Sequence, residues 1–221
     1  MDIKAVIFDL DGTLIDSMGI WRNVDIEYLQ KRGIEVTPDL FTNLPQGNSF
    51  SELAHYVKDK FNLPDSIETI CNEWTQMVKG HYENQLKLRP GVMELLRFLK
   101  KKHILMAVGT SNSLELTQSA LKNNKVSDYF RVVISGDTHL RGKPFPDIFI
   151  EAAKNLDLSA DECLVIEDTL VGVLSAKAAG MRVIAIKEPD SQSDWFRIKQ
   201  EADFAVSHFE EILLYLQGSL R

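Results

Sequence analysis

Apolar residues fall along this chain in two rhythms, and the change from one to the other sets its organisation. An unbroken apolar run, Val6-Ile7-Phe8, ends abruptly in Asp9-Leu10-Asp11-Gly12-Thr13, the pattern of a strand buried on both faces. From about Ser17 to Leu88 the spacing becomes helical: Trp21, Val24, Tyr28; then Leu53, Tyr56, Val57, Phe61; then Ile67, Ile70, Trp74, Met77, Val78. Turn signals at Gly33, Thr37-Pro38, Pro45-Gln46-Gly47 and Leu63-Pro64-Asp65 divide that stretch into about four helices. Strand alternation is hard to find in it, so it reads as a small all-helical unit.

From Arg89-Pro90-Gly91 strands and helices alternate. Val92, Leu95, Leu96 and Leu99 predict a helix. Strands follow at Ile104 to Val108, Val132 to Ile134, Leu164 to Ile166, Val183 to Ile186 and Phe204 to Val206. Between and after them lie helices around Leu114 to Leu121, Phe149 to Leu156, a stretch ending at Gly180, and Phe209 to Leu216. Such alternation means an α/β fold with a parallel sheet and right-handed crossovers. The expected division is a core of residues 1–16 and 89–221, with the helical unit of residues 17–88 inserted after the first strand.

Composition narrows the function. A chain of 221 residues with 44% hydrophobic and 26% charged positions is ordinary for a globular protein. Its net charge of −7 and lack of a basic run disfavour nucleic acid or an anionic membrane as partner. Cys71 and Cys163 stand far apart and in no metal-ligand spacing, which suits a reduced compartment. The strand-sized apolar stretches and the absence of a signal-like N-terminus lead to the expectation of a cytoplasmic protein with no membrane span. A monomer is expected.

In a parallel sheet the carboxyl ends of the strands gather on one edge, so the residues that follow each strand become the candidate chemistry. The first strand delivers Asp9 and Asp11, two acids that repel unless a cation or shared proton intervenes. Gly12 permits a sharp turn, and Thr13 can hydrogen-bond back into it. The strand from Ile104 leads to Thr110, Ser111 and Asn112 at a helix N-terminus, which suits phosphate. The strand from Leu164 leads to Glu167 and Asp168, and a cramped loop, Gly142-Lys143-Pro144-Phe145-Pro146-Asp147, offers one lysine. Alone, each has a plain explanation: Thr110 or Asn112 as a helix cap, Lys143 as a solvated charge, Glu167 and Asp168 as a pair beside a helix dipole. Together they place hard oxygen ligands, a phosphate-sized cradle and a cation along one edge. Carboxylates without histidine or cysteine clusters favour Mg²⁺ over zinc, and phosphoryl transfer needs this combination.

These motifs, in this order, resemble the haloacid-dehalogenase superfamily over essentially the whole chain: Asp9-Leu10-Asp11-Gly12-Thr13, Thr110, Lys143 in Gly-Lys-Pro, and Glu167-Asp168. Ser135-Gly136-Asp137, Arg89-Pro90-Gly91 and the position of the helical insertion resemble the branch with a type 1 cap. The resemblance implies a Rossmann-like parallel sheet flanked by helices, with an inserted all-helical cap domain. It implies Asp9 as the nucleophile that becomes an aspartyl-phosphate and Asp11 as the general acid and base. It also implies Mg²⁺ held by the Asp9 side chain, the Asp11 backbone carbonyl and Asp168, with Glu167 as ligand or just behind. Thr110 and Lys143 would bind the phosphoryl group, helped by Ser111 and Asn112.

The resemblance therefore implies a Mg²⁺-dependent phosphatase acting on a small phosphomonoester, a sugar or polyol phosphate. The alternatives are a β-phosphoglucomutase-type isomerase and a non-catalytic sensor of a phosphometabolite. Asp11 argues against a true dehalogenase. Trp21, where the mutases carry a cap histidine, argues against the isomerase. The intact Asp9, Asp11, Lys143 and Asp168 set argues against the sensor. A Schiff-base chemistry would need a desolvated cap lysine, and Lys31 shows no such surroundings. Candidate substrate contacts in the cap are Trp21 and Gly47-Asn48-Ser49, although Trp21 also suits a core position and Asn48 a helix cap. Trp74 and His81 read as structural or solvent-facing, Arg141 as a surface residue, and His139 has no evident partner.

Overall fold

The computed structural model describes residues 3–37, 50–136, 140–188 and 194–219. Six parallel strands form one sheet: β1 (Ala5–Phe8), β2 (Leu105–Gly109), β3 (Val132–Ile134), β4 (Cys163–Glu167), β5 (Arg182–Ile186) and β6 (Phe204–Val206). Their order is β3-β2-β1-β4-β5-β6. Ile7 of β1 stands beside Ala107 on one side and Val165 on the other. The chain runs outward from β1 in both directions, so the crevice beyond the carboxyl ends of β1, β2 and β4 is the topological switch point.

β1 is buried on both faces because its side chains alternate between two cores. Val6 and Phe8 join a cluster with the apolar stripes of α4 (Val92–Lys101), α5 (Leu114–Asn123) and α9 (Phe209–Ser219). Ala5 and Ile7 face the other layer, built from α6 (Asp147–Asn155), α7 (Leu170–Ala178) and α8 (Trp195–Glu201). Every strand expected from the sequence is present. The seven-residue α8 was not expected: it buries only Ile198, too little to leave a helical stripe.

Three helices occupy the stretch between β1 and α4 among the described residues: α1 (Met18–Gln30), α2 (Phe50–Phe61) and α3 (Ile67–Asn84). Residues 38–49 lie outside the described residues, and with them the candidates Gly47, Asn48 and Ser49; His139 does so too. The buried stripe of α3 is Ile70, Trp74, Val78 and Tyr82, spaced four apart. Trp74 stacks edge-on to Tyr28 of α1, with ring centres 5.4 Å apart. Arg32, just past α1, lies over the Tyr28 ring and bonds both Asp65 and Glu73. This joins α1, α3 and the connection between α2 and α3. The exit and return segments are tied to each other, because Ile15 bridges Leu88 and the Arg89 amide donates to the Leu14 carbonyl at 2.9 Å. Among the described residues no helix is long and apolar enough to cross a membrane.

Candidate active site

Asp9 is the first residue beyond β1, and its backbone amide continues the sheet pattern by donating to the Ile166 carbonyl at 3.0 Å. Gly12, at φ +82°, turns the chain. It also lets the chain pass Asp168 closely: a Cβ here would lie 2.4 Å from Asp168 Oδ2. Thr13 does not bond back into its own turn as expected. Its hydroxyl donates to Asp168 Oδ1 at 2.7 Å, clamping the loop after β1 to the end of β4. The alcohol reaches the neighbouring strand because Gly12 brings the two segments together.

Lys143 comes from the loop before α6 and is almost wholly buried. Its ammonium lies 2.6 Å from Asp9 Oδ1 and 2.6 Å from Glu167 Oε1. Burial opposes the lysine's charge, but Asp9 and Glu167 outweigh that cost and raise it above the ordinary lysine range. Glu167 is fully engaged: Oε2 accepts from the amides of Asp168 and Thr169 at 2.7 and 2.8 Å and from the Thr169 hydroxyl at 3.0 Å. The glutamate therefore holds the lysine and the start of α7 in place.

Asp9 and Asp168 are both buried. Burial lifts Asp9 to about 8 against the pull of Lys143, with Glu167 adding repulsion. Burial also holds Asp168 well above the usual carboxylate range, and Glu167 and Asp9 push it further. Asp168 pairs with no lysine or arginine among the described residues. Two neighbouring buried acids sharing so little positive charge are what a divalent cation would stabilise. Two side chains are a sparse set, but Mg²⁺ is held by one or two carboxylates with waters and substrate phosphate completing its shell.

Beyond β2, Thr110 is buried, and its hydroxyl accepts from the Asn112 amide at 3.1 Å. Ser113, not Asn112, caps α5, accepting from the Leu116 amide. Asn112 is turned the other way. Its Oδ1 accepts from the Ser113 amide at 2.7 Å, and its Nδ2 donates to Asp11 Oδ2 at 2.8 Å. The structure thus puts the Asn112 side chain on the acid, while Ser111 is half-buried at the loop.

Asp11 sits at the edge of the site on a network the sequence did not reveal. Its Oδ1 accepts from Ser17 Oγ at 2.6 Å and from the Tyr82 hydroxyl. Trp21, half-buried on α1, donates its indole N–H to the Tyr82 oxygen at 2.7 Å. Tyr82 extends the four-residue spacing of Trp74 and Val78 by one step, which was the available signal. Trp74 is buried as a core residue, whereas Arg141 is exposed and pairs with Asp147. Lys31 is exposed and paired with Glu27, so no desolvated amine stands on α1.

The arrangement corresponds to known proteins along nearly its whole length. A phosphorylated carbohydrates phosphatase of Thermotoga maritima is 30% identical over 219 residues, covering 99% of this chain and 100% of its own. The bifunctional riboflavin kinase/FMN phosphatase of Arabidopsis thaliana is 31% identical over 199 residues, 90% of this chain, and the match spans 52% of the plant protein. The crystal structure of CbbY from Rhodobacter sphaeroides in complex with phosphate has a TM-score of 0.83 at 26% identity, covering 95% of this chain and 96% of that one. Residues 6–186, from the first strand to the end of the fifth and with Asp9, Thr110, Lys143 and Asp168 among them, match the haloacid dehalogenase-like hydrolases, and the chain belongs to that family.

Proposed function

We propose that this chain is a phosphatase that hydrolyses a small phosphomonoester, a sugar or polyol phosphate, through an aspartyl-phosphate on Asp9. The observation that carries the reading is the division of labour between the two aspartates. Asp9 is buried against Lys143 and beside Asp168, whereas Asp11 is held apart on neutral donors. One acid is placed to meet phosphorus and the other to handle a proton. The phosphatases of phosphorylated carbohydrates and of hexitols among its relatives act on substrates of this class by name.

Asp9, Asp168 and the Asp11 backbone carbonyl would hold Mg²⁺, and the bound ion would neutralise charge on the transferring phosphoryl oxygens. Lys143 spends two of its three N–H bonds on Asp9 and Glu167, leaving one for a phosphoryl oxygen. Thr110 and the loop ahead of α5 border the same space. An Asp9 oxygen attacks phosphorus, the bond to the leaving oxygen breaks, and Asp11 gives that oxygen a proton. A water then attacks the phosphoryl group while Asp11 takes its proton. The bond from phosphorus to Asp9 breaks, freeing phosphate and restoring both carboxyl groups. The helices of residues 17–88 act as the cap that excludes bulk water during these steps.

The deciding experiment is phosphate release across a panel of sugar, polyol, nucleotide and short-chain phosphomonoesters with Mg²⁺. The control is Asp9→Asn. A preferred ester hydrolysed by the wild type and not by the variant supports the reading. Equal release by both, or none by either, overturns it.

A further inference from the structure

Tyr82 is fully buried in the last turn of α3, with its hydroxyl among four polar groups, Trp21, Asn112, Asp11 and Ser17. Two of these can only donate to it: the Trp21 indole N–H, at 2.7 Å, and the Asn112 amide nitrogen, at 2.9 Å. The Asn112 orientation is fixed because its own oxygen accepts from the Ser113 amide. With two donors pointing at its oxygen, the tyrosine gives its proton to Asp11 Oδ1. Ser17 is also adjacent to the tyrosine, and its own hydroxyl proton goes to the same carboxylate oxygen.

The Asp11 carboxylate consequently receives three donors. Oδ1 takes Ser17 and Tyr82, and Oδ2 takes Asn112. A carboxylate offers about four lone-pair sites, so one remains, on Oδ2. Ser17 belongs to the segment leaving the core and Asn112 to the core itself, whereas Tyr82 and its support Trp21 come from the inserted helices. The orientation of the acid is complete only when α1 and α3 sit over the sheet edge.

We propose that Tyr82, backed by Trp21, is the positioning residue that orients Asp11 so that its Oδ2 meets the leaving oxygen. Seating of the helical insertion and readiness of the acid are then one event. This rests on the phosphatase reading above, and it assigns to Tyr82 no contact with the reacting atoms.

The test is Tyr82→Phe, with kcat/KM measured on two classes of ester. Glucose 6-phosphate and sorbitol 6-phosphate release an alkoxide that needs a proton. p-Nitrophenyl phosphate releases a stable phenolate that does not. A misoriented acid should lower kcat/KM for the alkyl phosphates by on the order of 10- to 100-fold more than for p-nitrophenyl phosphate. Trp21→Phe, which removes the indole donor and keeps an aromatic ring in its place, should move the same ratio in the same direction by less. If Tyr82→Phe does not fold by thermal denaturation, Trp21→Phe decides by the same ratio. Equal losses on both classes indicate a merely structural residue and overturn the proposal, as does no loss on either. A wild type that cleaves p-nitrophenyl phosphate but no alkyl phosphate has no acid step to position; it overturns this proposal and the sugar or polyol substrate class, and leaves the Asp9 chemistry standing. A wild type that cleaves neither overturns the phosphatase reading and this proposal with it.

Discussion

Lys143 Nζ stands 2.6 Å from Asp9 Oδ1, an ion pair closed off from water at the end of the first strand. The same ammonium neutralises Glu167 at equal distance, so one cation serves two buried acids. Buried pairs of this kind add little net stability when intact but are costly to break from one side.

Lys143→Met should therefore do more than stop catalysis. It leaves Asp9 and Glu167 buried beside each other with no cation between them, and the expected loss is about 3–5 kcal/mol in denaturant unfolding. Phosphate release should fall below detection. A variant as stable as the wild type would show that the pair is dispensable to the fold.

The buried acids also make the stability of the metal-free protein depend on pH. Asp9 sits near 8 in the folded state against 3.8 for an exposed aspartate, so between those values the folded form holds more protons. Stability contributed here is greatest below 3.8 and falls as pH rises toward 8. A divalent cation competes with those protons. The stabilisation given by Mg²⁺ should therefore grow from pH 6 to pH 8, by up to about 1.4 kcal/mol per pH unit for each proton displaced. Melting curves in chelator and in Mg²⁺ at several pH values measure it; a Mg²⁺ effect constant across that range would mean that Asp9 is already ionised without metal.

How much of this was legible in the sequence differs between the strands and the side-chain partners. β1, β2, β4 and β5 were readable because burial on both faces demands continuous apolar runs, and what followed those runs contained Asp9, Thr110 and Asp168. Lys143 was readable as the one cation of a cramped loop. Partner choice was not. Asn112 next to a helix start looks the same whether it caps the helix, binds phosphate or holds Asp11, and only the packing of α3 against α5 decides. Tyr82 was hidden because its body belongs to the apolar stripe of α3, while its function lies in a hydroxyl that meets a residue 71 positions earlier.

Asp25 offers a change that should stabilise the protein. It lines a small cavity inside the helical insertion with Tyr28, Leu29, Leu53, Val57, Phe61 and Trp74, and burial pushes its carboxyl up to about 7. Above that value the folded state holds a charge in apolar surroundings; below it the acid is neutral and resembles asparagine. The advantage of Asp25→Asn over the wild type should be absent near pH 3.8, grow as pH rises toward 7, and be larger at pH 8 than at pH 5 by on the order of 1–3 kcal/mol. Chemical denaturation at the two pH values checks this, and a difference of the same size at both would refute the burial argument.

Gly172, in the first turn of α7, controls the same lysine from behind. A Cβ at this position would lie 1.8 Å from Glu167 Oε1 and 1.9 Å from its carboxyl carbon, so Gly172→Ala cannot be accommodated without moving the glutamate. The glutamate has little freedom to yield, because one oxygen is bound to Lys143 and the other accepts from the Asp168 and Thr169 amides and the Thr169 hydroxyl. Overpacking of this kind costs about 1–3 kcal/mol. Here it should also lower kcat/KM, since a displaced Glu167 no longer holds Lys143 against Asp9. Adding Glu167→Asp to the alanine variant shortens the acid by one methylene and relieves the clash. The double variant should therefore be more stable than the two separate losses predict, a coupling readable in a double-mutant cycle. Strict additivity would mean that α7 moves as a body to admit the methyl group and that Glu167 does not register it.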